Sequence, residues 1–363
     1  MLTTSAIDTD SSRPRPELGD IGTICVLGWG LKGDLFIRIP LIEALKERFP
    51  QARITVVVDP GNVIVLANHP AVDHVFPFGR KKKPLYRYMF HAIRNALLLR
   101  RQRFDLSLDL YAGGSSPALI LIVNARWRLG FNHTRALRMA NNLLAQRPDM
   151  CQHWTRALAA LLQPLGVDPA QVRLGTSYYC TESARRFARE FLAARPGARR
   201  IVFNLGARAV SRRWPIENFV ELGVLVNRRF NMIPLVFTNP GMEELTQRFS
   251  ELYGRHGKCV YVPRLDMDPE AAIMEQCEAV VTGNTALMHL ASALKRPTLG
   301  LFIETRPEQV QPEDCPFVAC YIEDPRQRDE CGRLQTTAPL PVTYVFDCFV
   351  ELVRTYAEPA LKV

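Results

Sequence analysis

Two short stretches of this 363-residue chain gather the residue types that chemistry needs. Residues 280–291 read Val-Val-Thr-Gly-Asn-Thr-Ala-Leu-Met-His-Leu-Ala, an apolar strand ending in a small, polar turn that opens a helix. The first N–H groups of a helix lack partners within it, so such a turn is a ready anion site. Thr285 adds a hydroxyl and His289 sits one helical turn further along, which makes a phosphorylated ligand the natural guest. A plain helix cap in an αβ unit fits the same residues. The second stretch, Gly28-x-Gly30-x-x-Gly33-Asp34, follows an apolar strand at 24–27. It spells a dinucleotide-binding fingerprint, and Asp59 ends the next strand where a ribose-binding acid belongs. A nicotinamide- or flavin-dependent oxidoreductase is therefore one reading. Against it, the Asp34 carboxylate stands where a pyrophosphate would have to approach and would repel it.

The elements that must hold these turns alternate between β and α. Strands are expected at 24–27, 54–59, 105–110 and 126–131, with a helix at 41–48 and a small-residue helix before the last strand. After a helix at 182–194 and a turn at 195–197, a second unit begins, with strands at 200–205, 233–238 and 280–282 and a helix at 216–227. This alternation predicts an α/β protein of two Rossmann-like, doubly wound domains facing a cleft. The expected division is a flexible tail at 1–20, a first domain at 21–172, a second domain at 173–342 and a C-terminal helix at 343–363. The apolar run 118–123 reads as a buried strand or helix.

Composition narrows the partners. Hydrophobic residues make up 47% and charged residues 23%, as in a soluble globular protein. No apolar run nears the roughly 20 residues that span a bilayer, and the polar, Pro/Ser-rich start lacks a signal-peptide pattern, so a cytoplasmic protein is expected. Lys and Arg number 46 against 36 Asp and Glu, which favours anionic partners. Between Arg80 and Arg103 there is no acid, and Arg80, Lys81, Lys82, Lys83 and Arg87 lead into an amphipathic helix. That helix reads as a docking face for a membrane surface or an acidic glycolipid, or as an ordinary solvated face. Nine cysteines without a C-x-x-C pair are expected to be reduced thiols. Asp266-Met267-Asp268 spells a D-x-D metal motif, but Asp268 precedes Pro269 and Glu270 at a helix head and reads better as an N-cap. No metal is expected.

Taken together the motifs resemble glycosyltransferase family 9, the bacterial heptosyltransferases. The resemblance is carried by Lys32-Gly33-Asp34 with the apolar run to Pro40, Asp59-Pro60-Gly61-Asn62, Asn68-His69-Pro70, Arg128-Leu129-Gly130-Phe131, Asn204-Leu205-Gly206-Ala207, Ser211-Arg212-Arg213-Trp214-Pro215 and the Met288-His289-Leu290-Ala291 helix start. It implies the glycosyltransferase B fold, with the C-terminal helix crossing back to the first domain. It also implies a metal-independent, inverting transferase that uses a nucleotide sugar, ADP-heptose, and an anionic glycolipid or glycan of the lipopolysaccharide inner core, with no cofactor and no nucleic acid. By match to the family's motifs, Asp34 is the candidate catalytic base, or else a structural cap. Lys32, Gly33, Gly206, Arg212, Glu243 (or Glu244), Asn284, Thr285, Ala286 and His289 would bind the donor. The chain departs from the pattern at Arg212, where the family has Lys, at Ala286, where it has Gly, and at Asn284, where an Asp contacts the donor sugar. The last change leaves the sugar open. Another nucleotide sugar or a non-lipid acceptor, an NAD-dependent oxidoreductase and a non-catalytic glycolipid-binding relative remain as alternatives.

Overall fold

The computed structural model describes residues 18–79, 85–149, 151–194, 199–238, 241–329, 332–337 and 340–357. Its first half contains β1 (Thr23–Leu27), α1 (Lys32–Arg48), β2 (Arg53–Val58), α2 (Val63–Leu66), β3 (His74–Pro77), α3 (Leu85–Arg101), β4 (Leu106–Asp109), α4 (Ser116–Val123), β5 (Trp127–Phe131), α5 (Arg135–Ala140), β6 (Leu143–Ala145) and α6 (Trp154–Ala159). Helix α7 (Glu182–Ala193) leads into the second half: β7 (Arg199–Asn204), α8 (Ile216–Phe230), β8 (Met232–Phe237), α9 (Glu243–Tyr253), β9 (Val260–Val262), α10 (Met267–Met274), β10 (Ala279–Gly283), α11 (Ala286–Ala293), β11 (Thr298–Leu301), α12 (Pro307–Val310) and β12 (Phe317–Cys320). A hairpin of β13 (Ile322–Arg328) and β14 (Leu334–Thr337) and the helix α13 (Val342–Leu352) close the chain.

Each half is wound the same way. The first sheet runs β3-β2-β1-β4-β5-β6 and the second β12-β11-β10-β7-β8-β9, with every neighbouring pair parallel. The central strands are buried along nearly their whole length, as sheets covered by helices on both faces require. The chain reverses direction across each sheet between β1 and β4 and between β7 and β10. In doubly wound sheets ligands bind in the crevice beyond the strand ends at such switch points. The four loops that follow these strands are therefore the ones to inspect.

The two halves share apolar packing. One cluster includes Ile24, Val56 and Leu108 of the first sheet, Tyr178 of the connecting segment, and Val202, Leu235 and Ile273 of the second half. Polar ties reinforce it. The Ser177 hydroxyl donates to Glu43 (2.6 Å), and His69 Nε2 lies 3.2 Å from the same carboxylate. Burial works against the Glu43 carboxylate, yet these two donors hold it below the usual carboxylate range. Asp268 is not an N-cap. It is buried and accepts from the Tyr178 hydroxyl (3.1 Å) and the Thr181 hydroxyl (2.6 Å), fastening α10 to the connecting segment.

Several expectations change here. Helix α1 begins at Lys32, well before the expected residue 41, and carries Pro40 in its interior. Proline has no N–H to give the carbonyl four residues back. The freed Phe36 carbonyl instead accepts from the Thr176 hydroxyl (3.0 Å), and the Ile37 carbonyl accepts from Thr155 (3.0 Å). Both hydroxyls come from segments far along the chain, so local reasoning could not extend the helix through Pro40. Helix α4 is only half buried, with Leu121 and Ile122 facing outward, unlike the fully buried run expected at 118–123. Helix α13 does not cross back: it packs on α8, β11 and β12, with Val345, Phe349 and Leu352 in the second half's core. Seven cysteines are free thiols, whereas Cys151 is disulfide-bonded, against an all-reduced set. The short strands β3 and β6 were not anticipated; at four and three residues they carry too little pattern to read.

Candidate active site

The glycine turn after β1 is shaped by contacts within the chain. Gly30 has φ +142°, and a Cβ there would lie 2.8 Å from Asp34 Oδ2 and 2.9 Å from Arg38 Nη1, so only glycine fits. Its N–H donates to Asp59 (3.2 Å), and Asn62 donates to its carbonyl (2.8 Å). Asp59 thus fastens the turn. Gly33 does not face a strand of its own sheet, as the third glycine of a dinucleotide fingerprint would: a Cβ there would lie 3.7 Å from Ala286 Cα and 3.4 Å from His289 Cδ2. The first turn of α1 therefore abuts the first turn of α11, and two helix N-termini from opposite halves meet.

Asp34 lies in that first turn of α1 rather than on a loop. One carboxylate oxygen accepts from the Leu31 N–H (2.9 Å), so it does cap the helix. It also lines a cavity of about 330 Å³ with Arg38, Tyr111, His133, Arg147 and Trp154, drawn from α1, α6 and the loops after β4, β5 and β6. Capping and catalysis are compatible here because one oxygen suffices for the cap. Arg38 is buried and donates to the Trp29 carbonyl. Asp109, at the end of β4, holds the loop that lines the cavity, accepting from the Ser116 hydroxyl (2.6 Å) and the N–H groups of Ala112 (2.8 Å) and Tyr111 (3.1 Å). Burial still pushes its carboxyl up, against those donors and Arg38. Burial, with Arg147 beside it, pushes the His133 ring down. A larger hollow of about 620 Å³ lies near the start of β1 and the end of α1, bordered by Gly22, Phe49 and Gly166. It sits at the wrong end of the strands for a doubly wound sheet.

Across the junction, Thr285 is the N-cap residue of α11 but makes no side-chain cap bond. Its hydroxyl oxygen instead accepts from Asn204 Nδ2 (3.0 Å), which also donates to Thr282 (2.8 Å). Asn284 donates to the Thr305 hydroxyl (3.2 Å), so its amide is oriented by the loop after β11. His289 is buried and pushed down to about 4 by desolvation and the nearby His153, and so is neutral at physiological pH. Gly206 follows β7 and borders a small hollow with Arg212 and Gly283. Arg212 and Glu304 are both about half exposed and pair at 3.6 Å, and the Ser211 hydroxyl donates to the same carboxylate (3.0 Å). Glu304 has φ +63°, unusual for a residue other than glycine. Lys32 opens α1 near Glu270 of α10, whose carboxyl desolvation raises to about 7 while Lys32 opposes the shift.

Most of the residues expected at the site thus come together, but not all. Gly33 meets Ala286 and His289 directly at the two helix starts, with Lys32 and Asp34 on either side of it in the first turn of α1, Asn284 and Thr285 immediately before α11, and Arg212 and Gly206 on the adjoining loop. Glu243 opens α9, fully exposed, and accepts from the Gly241 N–H (3.3 Å), which with its own backbone holds it below the usual carboxylate range. Arg80, Lys81, Lys82 and Lys83 lie outside the described residues, as does the Arg87 side chain. Sequence reasoning missed Glu304, Thr305, Glu270 and the cavity residues Arg38, His133, Arg147 and Trp154. Arg38 stands one turn from Asp34 on α1, but nothing local marks the others, which come from α6, α10 and the loops after β5, β6 and β11. The positions after strands of a doubly wound sheet were the one available signal.

Two parallel sheets of this winding, with the starts of α1 and α11 meeting between them, are the arrangement of the glycosyltransferase B fold. The model of glycosyltransferase family 9 (heptosyltransferase) matches residues 93–329, and the chain belongs to that family. It is 23% identical over 286 residues to lipopolysaccharide heptosyltransferase 3 of Escherichia coli, an alignment covering 74% of this chain and 80% of the relative. A solved glycosyltransferase of family 9 from Veillonella parvula superposes with a TM-score of 0.83 at 20% identity, over 93% of this chain and 98% of the other. The solved E. coli ADP-heptose lipopolysaccharide heptosyltransferase II superposes with a TM-score of 0.74 at 19% identity, covering 92% and 99%. The chain is a glycosyltransferase, and no helix among the described residues is long and apolar enough to cross a membrane.

Proposed function

We propose that this protein is an inverting heptosyltransferase that moves heptose from ADP-heptose to an anionic acceptor of the lipopolysaccharide inner core or a related glycan. The observation that carries the reading is the meeting of the α1 and α11 starts beside Asp34, with Gly33 against Ala286 and His289. The donor's diphosphate takes the N–H groups at Thr285 and Ala286, the Thr285 hydroxyl, and the cations Arg212 and Lys32. Positive charge there stabilises the leaving group as the sugar–phosphate bond breaks. The acceptor hydroxyl enters from the Asp34 cavity, and the Asp34 oxygen not engaged by Leu31 takes its proton as the new glycosidic bond forms. Attack on the face opposite the diphosphate inverts the anomeric centre.

His289, neutral in its buried position, helps shape the pocket without adding charge. Gly33 and Gly206 keep the backbone open to the ligand, and Asn284 reads the sugar. The relatives' printed activities on lipopolysaccharide and ADP-heptose support the donor and acceptor classes. In this reading no metal or cofactor takes part, the enzyme works on the cytoplasmic side, and contact with the inner membrane is peripheral. A different nucleotide sugar is the second reading, favoured by Asn284 standing where the family has Asp. Transfer assays with ADP-heptose and with GDP-, UDP- and dTDP-linked sugars test both. The proposal expects turnover with ADP-heptose above all others; turnover confined to another donor replaces it with the second reading.

A further inference from the structure

Helix α3 buries Ala96 and Leu99 against the first sheet but leaves Met89, Phe90, Ile93 and Leu97 49–67% exposed. It packs on α4, which packs in turn on α5, and those helices add Leu121 (50% exposed) and Met139 (70% exposed) to the same side of the sheet. Single exposed apolar residues need no explanation, but six on three adjoining helices do. The charges around them all have one sign. Residues 85–140 hold nine Arg, no Lys and two Asp, and neither Asp reaches this face: Asp109 is buried, and Asp105 is bound to Gly22 and Thr23 at the far ends of the strands. Arg94, Arg100 and Arg101 stand exposed beside the apolar residues on α3 itself.

We propose that this face docks on an anionic bilayer surface, with Met89, Phe90, Ile93 and Leu97 entering the headgroup–acyl boundary and Arg94, Arg100 and Arg101 engaging lipid phosphates. An amphipathic helix with basic flanks lies in the interface plane in this manner. A second copy of the chain is a poor occupant, because a two-fold contact here would set Arg94 and Arg101 of both copies against each other. The placement suits the chemistry. The loop from β4 into α4 lines the Asp34 cavity through Tyr111 and Ala112, so a docked α4 brings that cavity to the membrane, where a lipid-borne acceptor would be. In that respect the inference rests on the acceptor reading above, although the docking itself does not.

The test is co-sedimentation of the full chain with vesicles containing one-third phosphatidylglycerol, and with neutral phosphatidylcholine vesicles, at low and high salt. Binding is expected on the anionic vesicles. Arg94→Gln with Arg101→Gln should weaken it about fivefold per charge at low salt and much less at high salt. Phe90→Ser with Ile93→Ser should weaken it roughly tenfold or more at either salt, through lost apolar burial. These residues are exposed and none lines the Asp34 cavity, so transfer to a water-soluble acceptor fragment should be unchanged in both variants. Wild-type sedimentation by either double variant overturns the proposal. So does a serine variant that changes only the mass at sedimentation equilibrium, which would assign the face to self-association. Failure of the transferase reading would appear separately, as no turnover with the soluble acceptor while vesicle binding persists.

Discussion

The starts of α1 and α11 are built from the same parts and used in opposite ways. Each follows the end of a buried parallel strand and is the first turn of a helix at its sheet's switch point. The α1 start holds its own anion, because Asp34 accepts from the Leu31 N–H. The α11 start holds none: Thr285 makes no cap bond, and its hydroxyl is oriented by the neutral amide of Asn204. A helix terminus already neutralised by a carboxylate has little to offer a phosphate, whereas an open one attracts it. In the proposed mechanism one end takes a proton and the other holds a diphosphate. Placing them in contact sets the two halves of a displacement side by side.

The largest way to break this contrast is Asp34→Asn. Loss of the base should cost roughly 10²- to 10⁴-fold in kcat with the donor dissociation constant nearly unchanged. Near-normal turnover would reduce Asp34 to its cap. Arg212→Ala attacks the other side and should weaken nucleoside diphosphate binding and turnover together, roughly ten- to hundredfold, as loss of charged hydrogen bonds does. Asn284→Asp should shift the kcat/KM ratio between ADP-heptose and competing sugar nucleotides by about 1–3 kcal/mol. The Thr305 hydroxyl, which now accepts from Asn284, can rotate to donate to a carboxylate, so stability should hardly change. An unaltered preference between paired donors would remove Asn284 from sugar recognition. Glu304→Gln is the mildest test. It removes the carboxylate that competes for Arg212 and should tighten ADP binding by no more than about fivefold, the scale of an exposed pair.

A pH experiment sharpens the same contrast through stability. His289 titrates near 4 when folded and near 6.5 when unfolded, so the unfolded chain binds more protons between those values. Its contribution is present above about 6.5 and lost as pH falls toward 4, by at most about 3 kcal/mol. Glu270, raised to about 7, works with the opposite sign: its contribution is present below the ordinary Glu value and lost as pH rises toward 7. His289→Gln should therefore differ from the parent by a constant amount above pH 6.5 and by a shrinking amount below it. Thermal melts at pH 7 and pH 5 check this, and parallel curves would place the His289 proton elsewhere.

How much of this was legible in the sequence depended on whether the cause was local. The β1, β2, β7, β8 and β10 strands announce themselves because a strand buried on both faces is an unbroken apolar run, and the two-sheet architecture follows from their alternation with helices. The α11 start was readable for the same reason. The start of α1 was hidden by Pro40, whose cost is offset by hydroxyls from Thr155 and Thr176 more than a hundred positions away. The apolar stripe of α3 was visible as a stripe, but not the fact that half of it lacks a partner. Arg38 is one helical turn from Asp34, but His133, Arg147 and Trp154 converge only after the first sheet is wound, so their meeting beside Asp34 has no sequence signature.

The central claim is that a diphosphate is held where the α1 and α11 starts meet, and calorimetric titration with ADP, AMP and adenosine on the parent and Arg212→Ala proteins tests it most directly. The account predicts that affinity rises with each phosphate, and that the substitution weakens ADP strongly, AMP less and adenosine not at all. Equal affinity for adenosine and ADP, or an ADP affinity indifferent to Arg212, would contradict it.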